Sequence, residues 1–230
     1  LRHFDGDIGI EGLGLSQEDE SAIIDESEVF VNSAATTTFN ERFDTAVNIN
    51  TLGPRRLLRL SRKCHNLVLI CHISTAFVNG LRRGPVYERA FKMGDCIAQE
   101  LDPTAYTAGF DPGAEVALAL TAGRSSSVPS ATWKIFSPFA TRVEDHAIGE
   151  NSRLLVKLIG KCQDFFRRAS KPDERSLSRV ESVLHDRMVR LGLARARMHG
   201  WQDTYVFTKA MGEQFLTAER GELPLIIILP

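Results

Sequence analysis

Tyr205 and Lys209 stand four residues apart in the stretch GWQDTYVFTKAMGEQF, Gly200 to Phe215. On a helix that spacing puts both side chains on one face, one turn apart. A tyrosine beside an ammonium is a candidate proton donor, because the positive charge favours phenolate and lowers the phenol pKa from about 10 toward working pH. Three tyrosines and seven lysines in 230 residues give such a pair by accident roughly once in ten chains, so the pair alone carries little. The competing reading is an amphipathic helix with a polar edge. A tyrosine acid also needs a carbonyl to protonate and a hydroxyl that holds the oxygen as charge develops.

Ser74 and Thr75, in CHISTAFVNG, offer that hydroxyl. They follow NLVLICHIS, Asn66 to Ser74, which has the Val, Ile and Leu content of a buried strand. Ligands of open α/β sheets sit at the carboxyl ends of strands. The plainer alternative is a strand-to-loop transition whose hydroxyls satisfy backbone groups.

The elements that must position these residues are legible as patterns. SQEDESAIIDE, residues 16–26, reads as a short acidic helix with Ser16 as its N-cap. EVFVNSAA, Glu28 to Ala35, reads as a strand ending in small residues. From Phe43 to Lys63 the apolar residues recur at helical spacing. Residues 204–219 are predicted as a helix packing through Phe207, Ala210, Met211, Phe215 and Ala218, and LPLIIIL as another buried strand. Strands alternating with helices predict an α/β parallel sheet. Residues from Ala122 to Ser178, rich in serine, proline and mixed charge, read as a loop-rich insertion.

Composition excludes several classes. A net charge of −1 gives no global argument for nucleic acid, and PRRLLRLSRK lacks the interleaved aromatics that stack bases. No run approaches the roughly 20 apolar residues of a membrane span. Cys64, Cys71, Cys96 and Cys162 form no CxxC pair, which fits reduced thiols better than a disulfide framework or a zinc site. Both ends of the chain read as cuts through a larger protein.

Taken together, DGDIGIEGLGLS, VNSAATTTFNERFDTAVNINTLGPRRLL, HISTAFVNGLRRG, FKMGDCIAQE and LGLARARMHGWQDTYVFTKAMGE resemble the extended short-chain dehydrogenase/reductase superfamily. The resemblance is closer to the alcohol-forming fatty acyl-CoA reductases, the male-sterility-protein family, and to its plant members most of all. It covers residues 4–120 and 180–230.

This resemblance implies a Rossmann-type parallel sheet with flanking helices, bearing the 122–178 insertion. It implies NADPH-dependent reduction of a long-chain acyl thioester, carried by CoA or acyl carrier protein, to a fatty alcohol. Matched residue by residue, Tyr205 is the proton donor, and Lys209 lowers its pKa and holds the nicotinamide ribose. The hydroxyl position falls on Thr75, with Ser74 beside it as an alternative. Asn50 matches the asparagine that supports the site, and Asp7 the acidic residue beside the adenine. Ala34 and Ala35 match the small residues under the cofactor, and Pro230 the proline near the nicotinamide. Relatives imply a plastid or endoplasmic-reticulum location.

Several features depart from the family pattern. Its glycine-rich GxxGxxG turn, in the first βαβ unit, falls upstream of Leu1, so the chain reads as N-terminally truncated. GDIGIEGLG does not follow a buried strand as a phosphate cradle must. Leu229 stands where relatives usually carry arginine. The 122–178 stretch reads as a lineage-specific loop or as translated intron sequence. The C-terminal region that completes the acyl site in the family is expected to lie beyond this chain. Two alternatives stay open: a reductase or epimerase for a nucleotide sugar or small carbonyl, and an inactive fragment.

Other residues read more simply. Cys71 and His72 are strand neighbours facing opposite ways, so they cannot pair as nucleophile and base. His185 and His199 lack metal-ligand spacing and are expected at the surface or at helix ends. RMVRLGLARARMHG reads as a solvated helix face, with a dock for CoA phosphates or acyl carrier protein as the alternative.

Overall fold

The computed structural model describes residues 2–127 and 174–230. Its centre is a parallel three-stranded sheet in the order β1-β2-β3, with β1 Val29–Asn32, β2 Leu69–Ile73 and β3 Leu225–Ile228. Register pairs Asn32 with His72 and Ile73 with Ile228. Extending it by two residues sets Ala34 level with Ser74, and Pro230 level with Thr75. The carboxyl ends of all three strands therefore open on one side.

Between β1 and β2 runs one long helix in three parts: α2 Phe43–Ala46, a π-turn Val47–Thr51, and α3 Leu52–Ser61. The sequence predicts this helix but not the π-turn in it. Helices α1 Gln17–Glu26, α4 Ile97–Leu101, α5 Pro112–Ser127, α6 Glu174–Met198 and α7 Thr204–Glu219 complete the described fold. Ser16 caps α1 as expected, accepting from Asp19 N at 3.1 Å. Most of the expected insertion, 128–173, lies outside the described residues. Its first residues, up to Ser127, are helical where loop was expected, and helix resumes from Glu174.

The main core gathers on α7. Phe207 stacks with Phe43 at 5.9 Å and leans on Trp201 at 5.3 Å, beside Phe110. Gly200 ends the α6 turn at φ +92°, where a Cβ would meet Ala98 N at 2.5 Å, so this corner requires glycine. Beyond the turn, Trp201 Nε1 donates to Val78 O at 2.8 Å. A smaller cluster of Leu58, Ile70 and Leu216 seats the sheet on α3 and α7.

Two expectations about burial are corrected. The α7 helix is buried from Val206 to Leu216 on every side, and its predicted packing residue Ala218 is exposed. The β3 strand is half buried, because Ile226 and Ile228 alternate outward on the same sheet face as Val29 and Val31. Two arginines of PRRLLRLSRK reach across to other elements. Arg55 pairs with Glu219 at 2.6 Å and lies over the Phe215 ring, and Arg56 donates to the Ile8 and Asn48 carbonyls. These contacts tie α3 to α7 and to the N-terminal loop.

Candidate active site

The polar residues of α7 are not a wet edge. Lys209 and Glu213 are each 2% exposed and Gln214 is fully buried. Gln214 accepts from Gly94 N at 2.9 Å and donates to Asp95 O at 3.0 Å. Burying such groups costs several kcal/mol unless they find partners, so the partners define the site.

Those of Tyr205, Lys209 and Glu213 lie on three consecutive residues at the end of β2. The Thr75 side chain acts on the Tyr205 phenol and favours its ionised form. Lys209 Nζ donates to Ile73 O at 2.6 Å. Glu213 accepts from Ser74 Oγ. The alternatives Thr75 and Ser74 thus separate: Thr75 faces the tyrosine, and Ser74, one residue earlier on extended backbone, turns to the glutamate. Thr75 also caps the short turn Ala76–Asn79, accepting from Phe77 N at 3.3 Å, which fixes its rotamer.

Asn50 sits on the π-turn, a backbone irregularity often found at functional sites. Its side chain accepts from Thr36 N at 3.0 Å and donates to Thr36 O and to Thr208 Oγ1. It therefore staples the loop after β1, which carries Ala34 and Ala35, to the helix of Tyr205. Thr51 Oγ1 adds a bond to Thr208 O at 2.8 Å. Gly212 permits this approach, since a Cβ there would stand 2.5 Å from Asn50 O. Phe39, on the same loop, meets the Tyr205 ring edge-on at 5.8 Å.

His72 is fully buried beneath the site, and Cys71 points to the other sheet face, as expected. Asn32 Oδ1 accepts from Ala34 N at 3.3 Å, which leaves Nδ2 to donate to His72 Nδ1 at 3.1 Å. That assignment puts the imidazole proton on Nε2, 3.5 Å from Lys209 Nζ. Burial and the nearby Lys209 charge push His72 down to about 3, so it stays neutral.

The electrostatics differ from the sequence expectation at one point. Burial, reinforced by Asp203, holds the Tyr205 phenol above its ordinary pKa, although Thr75 opposes this. Lys209, whose Nζ is bonded to Ile73 O, is not among the groups that shift it. The phenol is protonated at neutral pH, the state a proton donor starts from. Burial lowers Lys209 to about 8 against the pull of Glu213. Burial likewise raises Glu213 to about 7, opposed by Ser74 and Lys209.

The remaining candidates are Ala34, Pro230 and Asp7. Ala34 is exposed just past β1. Ala76 N donates to Pro230 O at 3.1 Å, which draws Pro230 to the Thr75 segment. Asp7 is exposed in the N-terminal loop, where it accepts from Gly9 N at 2.7 Å; that loop is held to the π-turn by the Asn48 bond to Gly9 O.

Two features escaped the sequence reading. Glu213 carried a signal, as the third member of the Tyr205–Lys209 series at four-residue spacing. His199 carried none. It ends α6 but is fully buried, 3.1 Å from Glu115 Oε1, with the Tyr106 hydroxyl 2.6 Å from its Nδ1. Arg195 closes the cluster on Glu115, so this part of the expected solvated basic face is an interior clamp.

Comparison with known proteins follows this geometry. A family model described as male sterility protein, an NAD-binding domain, matches residues 1–230. The chain is 37% identical over 225 residues to "Fatty acyl-CoA reductase 2, chloroplastic" of Arabidopsis thaliana, covering 98% of this chain and 28% of the relative. It is 30% identical over 226 residues to "Alcohol-forming fatty acyl-CoA reductase" of Simmondsia chinensis, covering 98% and 35%. With "Fatty acyl-CoA reductase 1" of Arabidopsis thaliana it shares 30% over 228 residues, covering 98% and 34%. The chain spans about a third of the length of these curated relatives.

Proposed function

The chain belongs to the male sterility protein family, an NAD-binding family of Rossmann-type fold, and on that premise we propose that it reduces a long-chain fatty acyl thioester with NADPH to a fatty alcohol. The observation that carries the reading is Lys209, buried one turn from Tyr205 and bonded to Ile73 O, which sets the face of Tyr205 against the Ser74–Thr75 end of β2. The fatty acyl-CoA reductase names of the relatives supply the substrate class.

A nicotinamide nucleotide fits the residues present. Three parallel strand ends open together, and small Ala34 and Ala35 let a flat ring system approach the sheet. Asp7, exposed in the N-terminal loop, would offer its carboxylate to a ribose or an adenine. Lys209 and Tyr205 would hold the nicotinamide ribose, with Pro230 near the nicotinamide. When bound, the cofactor would supply one hydride per turnover: the first, with release of the thiol, takes the thioester to the aldehyde, and that of a second NADPH takes the aldehyde to the alcohol. The protein's part is placement and a proton.

Thr75 holds the carbonyl oxygen and keeps Tyr205 pointed at it. Tyr205, protonated at neutral pH, gives up its proton as the oxygen gains charge. Asn50 keeps the loop and helix of the site in register. CoA or acyl carrier protein would carry the acyl group, and the chloroplastic relative favours a plastid location over the endoplasmic reticulum.

The test is fluorescence titration of the purified chain with NADPH and NADH, then product analysis with palmitoyl-CoA. Saturable binding, NADPH preferred, with hexadecanol formed is the expected result. Absence of nucleotide binding up to millimolar, or turnover of a nucleotide sugar without acyl turnover, would refute the assignment.

A further inference from the structure

The α7 face that presents Tyr205 and Lys209 continues to Glu213, which the proposed chemistry leaves unused. All three reach the end of β2, and Glu213 does so through Ser74. An ammonium as deep as Lys209 is costly unless a counter-charge lies near. The groups facing it come from two elements. From β2, neutral His72 turns an N–H toward it and cannot compensate it. From α7, Tyr205 is protonated, and Glu213 lies one turn beyond on the same face. Further out, exposed Glu88, with Arg89 and Arg220, lines a groove of about 800 Å³ along β3 into which Glu213 also faces.

We propose that Glu213 is a positioning residue of the reductase site, an assignment that rests on the function proposed above: its carboxylate compensates the Lys209 ammonium and, through Ser74, fixes the strand end on which Thr75 meets Tyr205. It touches neither the reacting carbonyl nor the cofactor. Its effect passes through the charge of Lys209 and the placement of Thr75.

The geometry makes the charge effect separable from the structural one. Glu213→Gln keeps an oxygen for Ser74 and removes the charge. Ser74→Ala keeps the carboxyl group and removes its hydrogen bond, which favours the neutral acid and so again withdraws negative charge from Lys209. Both substitutions act on Lys209 without altering it.

The experiment is an NMR titration of isotope-labelled lysine side chains in the purified chain, the Lys209 signal assigned by its loss in Lys209→Arg. In Glu213→Gln the Lys209 midpoint is expected to fall by about one pH unit, a tenfold change in its protonation constant. Ser74→Ala serves where Glu213→Gln fails to fold, with a shift in the same direction. Where the chain turns over substrate, the alkaline limb of kcat should move down with it, and KM for NADPH should hold. An unmoved Lys209 midpoint in the folded variants overturns the proposal. The readout needs no activity: a moved midpoint in a chain that binds no nucleotide upholds the Glu213–Lys209 coupling and removes only the reductase reading.

Discussion

Lys209 Nζ donates to the Ile73 carbonyl at 2.6 Å, so the charged end of the lysine is anchored to the strand whose tip carries Thr75. Strand end and helix face are thereby one unit. Burial holds Lys209 down to about 8 against an ordinary 10.5. The unfolded chain therefore binds this proton between about pH 8 and 10.5 and the folded chain does not. Stability from this group rises with pH across that window. Compared with Lys209→Met, the wild type should gain up to about 2 kcal/mol between pH 8 and 10. Urea denaturation at the two pH values measures it.

Thr75 and Ser74 should separate in kinetics. Thr75→Ala removes the hydroxyl that meets Tyr205 and should lower kcat on the order of 10²–10³-fold. Ser74→Ala should cost about tenfold or less, since its partner is Glu213. Steady-state assay of both variants decides the assignment, and equal losses would contradict it.

Gly212→Ala places a methyl 2.5 Å from Asn50 O. The π-turn and α7 must move apart, at a cost of about 1–3 kcal/mol. The Thr208 bonds to Asn50 and Thr51 loosen together. A lowered thermal midpoint with reduced turnover is expected.

Glu115 joins Arg195 and His199 in a buried cluster beside the core of α7. Burial alone would raise its pKa, but its bonds to His199 and Arg195 hold it below its ordinary value. Its stabilisation is full above the ordinary carboxylate pKa and is lost as pH falls through the folded value. Glu115→Ala leaves Arg195 and His199 buried without their anion and should cost about 3–5 kcal/mol. Denaturation at neutral pH and at pH 4 should show the wild type losing its advantage in acid.

Helix periodicity and apolar runs were enough to foresee α7, β2, the long Phe43–Ser61 helix and the parallel sheet, because those signals are local. The side of α7 that would be wet was not legible. Lys209, Glu213 and Gln214 read as a polar edge until the end of β2 and the Gly94–Asp95 turn are brought against them by the fold. The π-turn around Asn50 was hidden for the same reason: it follows from contact with Thr208 and Gly212, more than 150 residues away in sequence. The choice between Ser74 and Thr75 rested on side-chain direction, which alternates along a strand but whose phase is set by packing. His199 gave no signal, since burial against Glu115 and Tyr106 joins three separate segments.

The central claim is that Tyr205 supplies the proton. The most direct measurement pairs kcat for acyl-CoA reduction with the NADPH dissociation constant in Tyr205→Phe. The account expects kcat to fall by at least about 10²-fold while the dissociation constant stays within about twofold. Turnover at the wild-type rate by a folded, NADPH-binding Tyr205→Phe chain would contradict it.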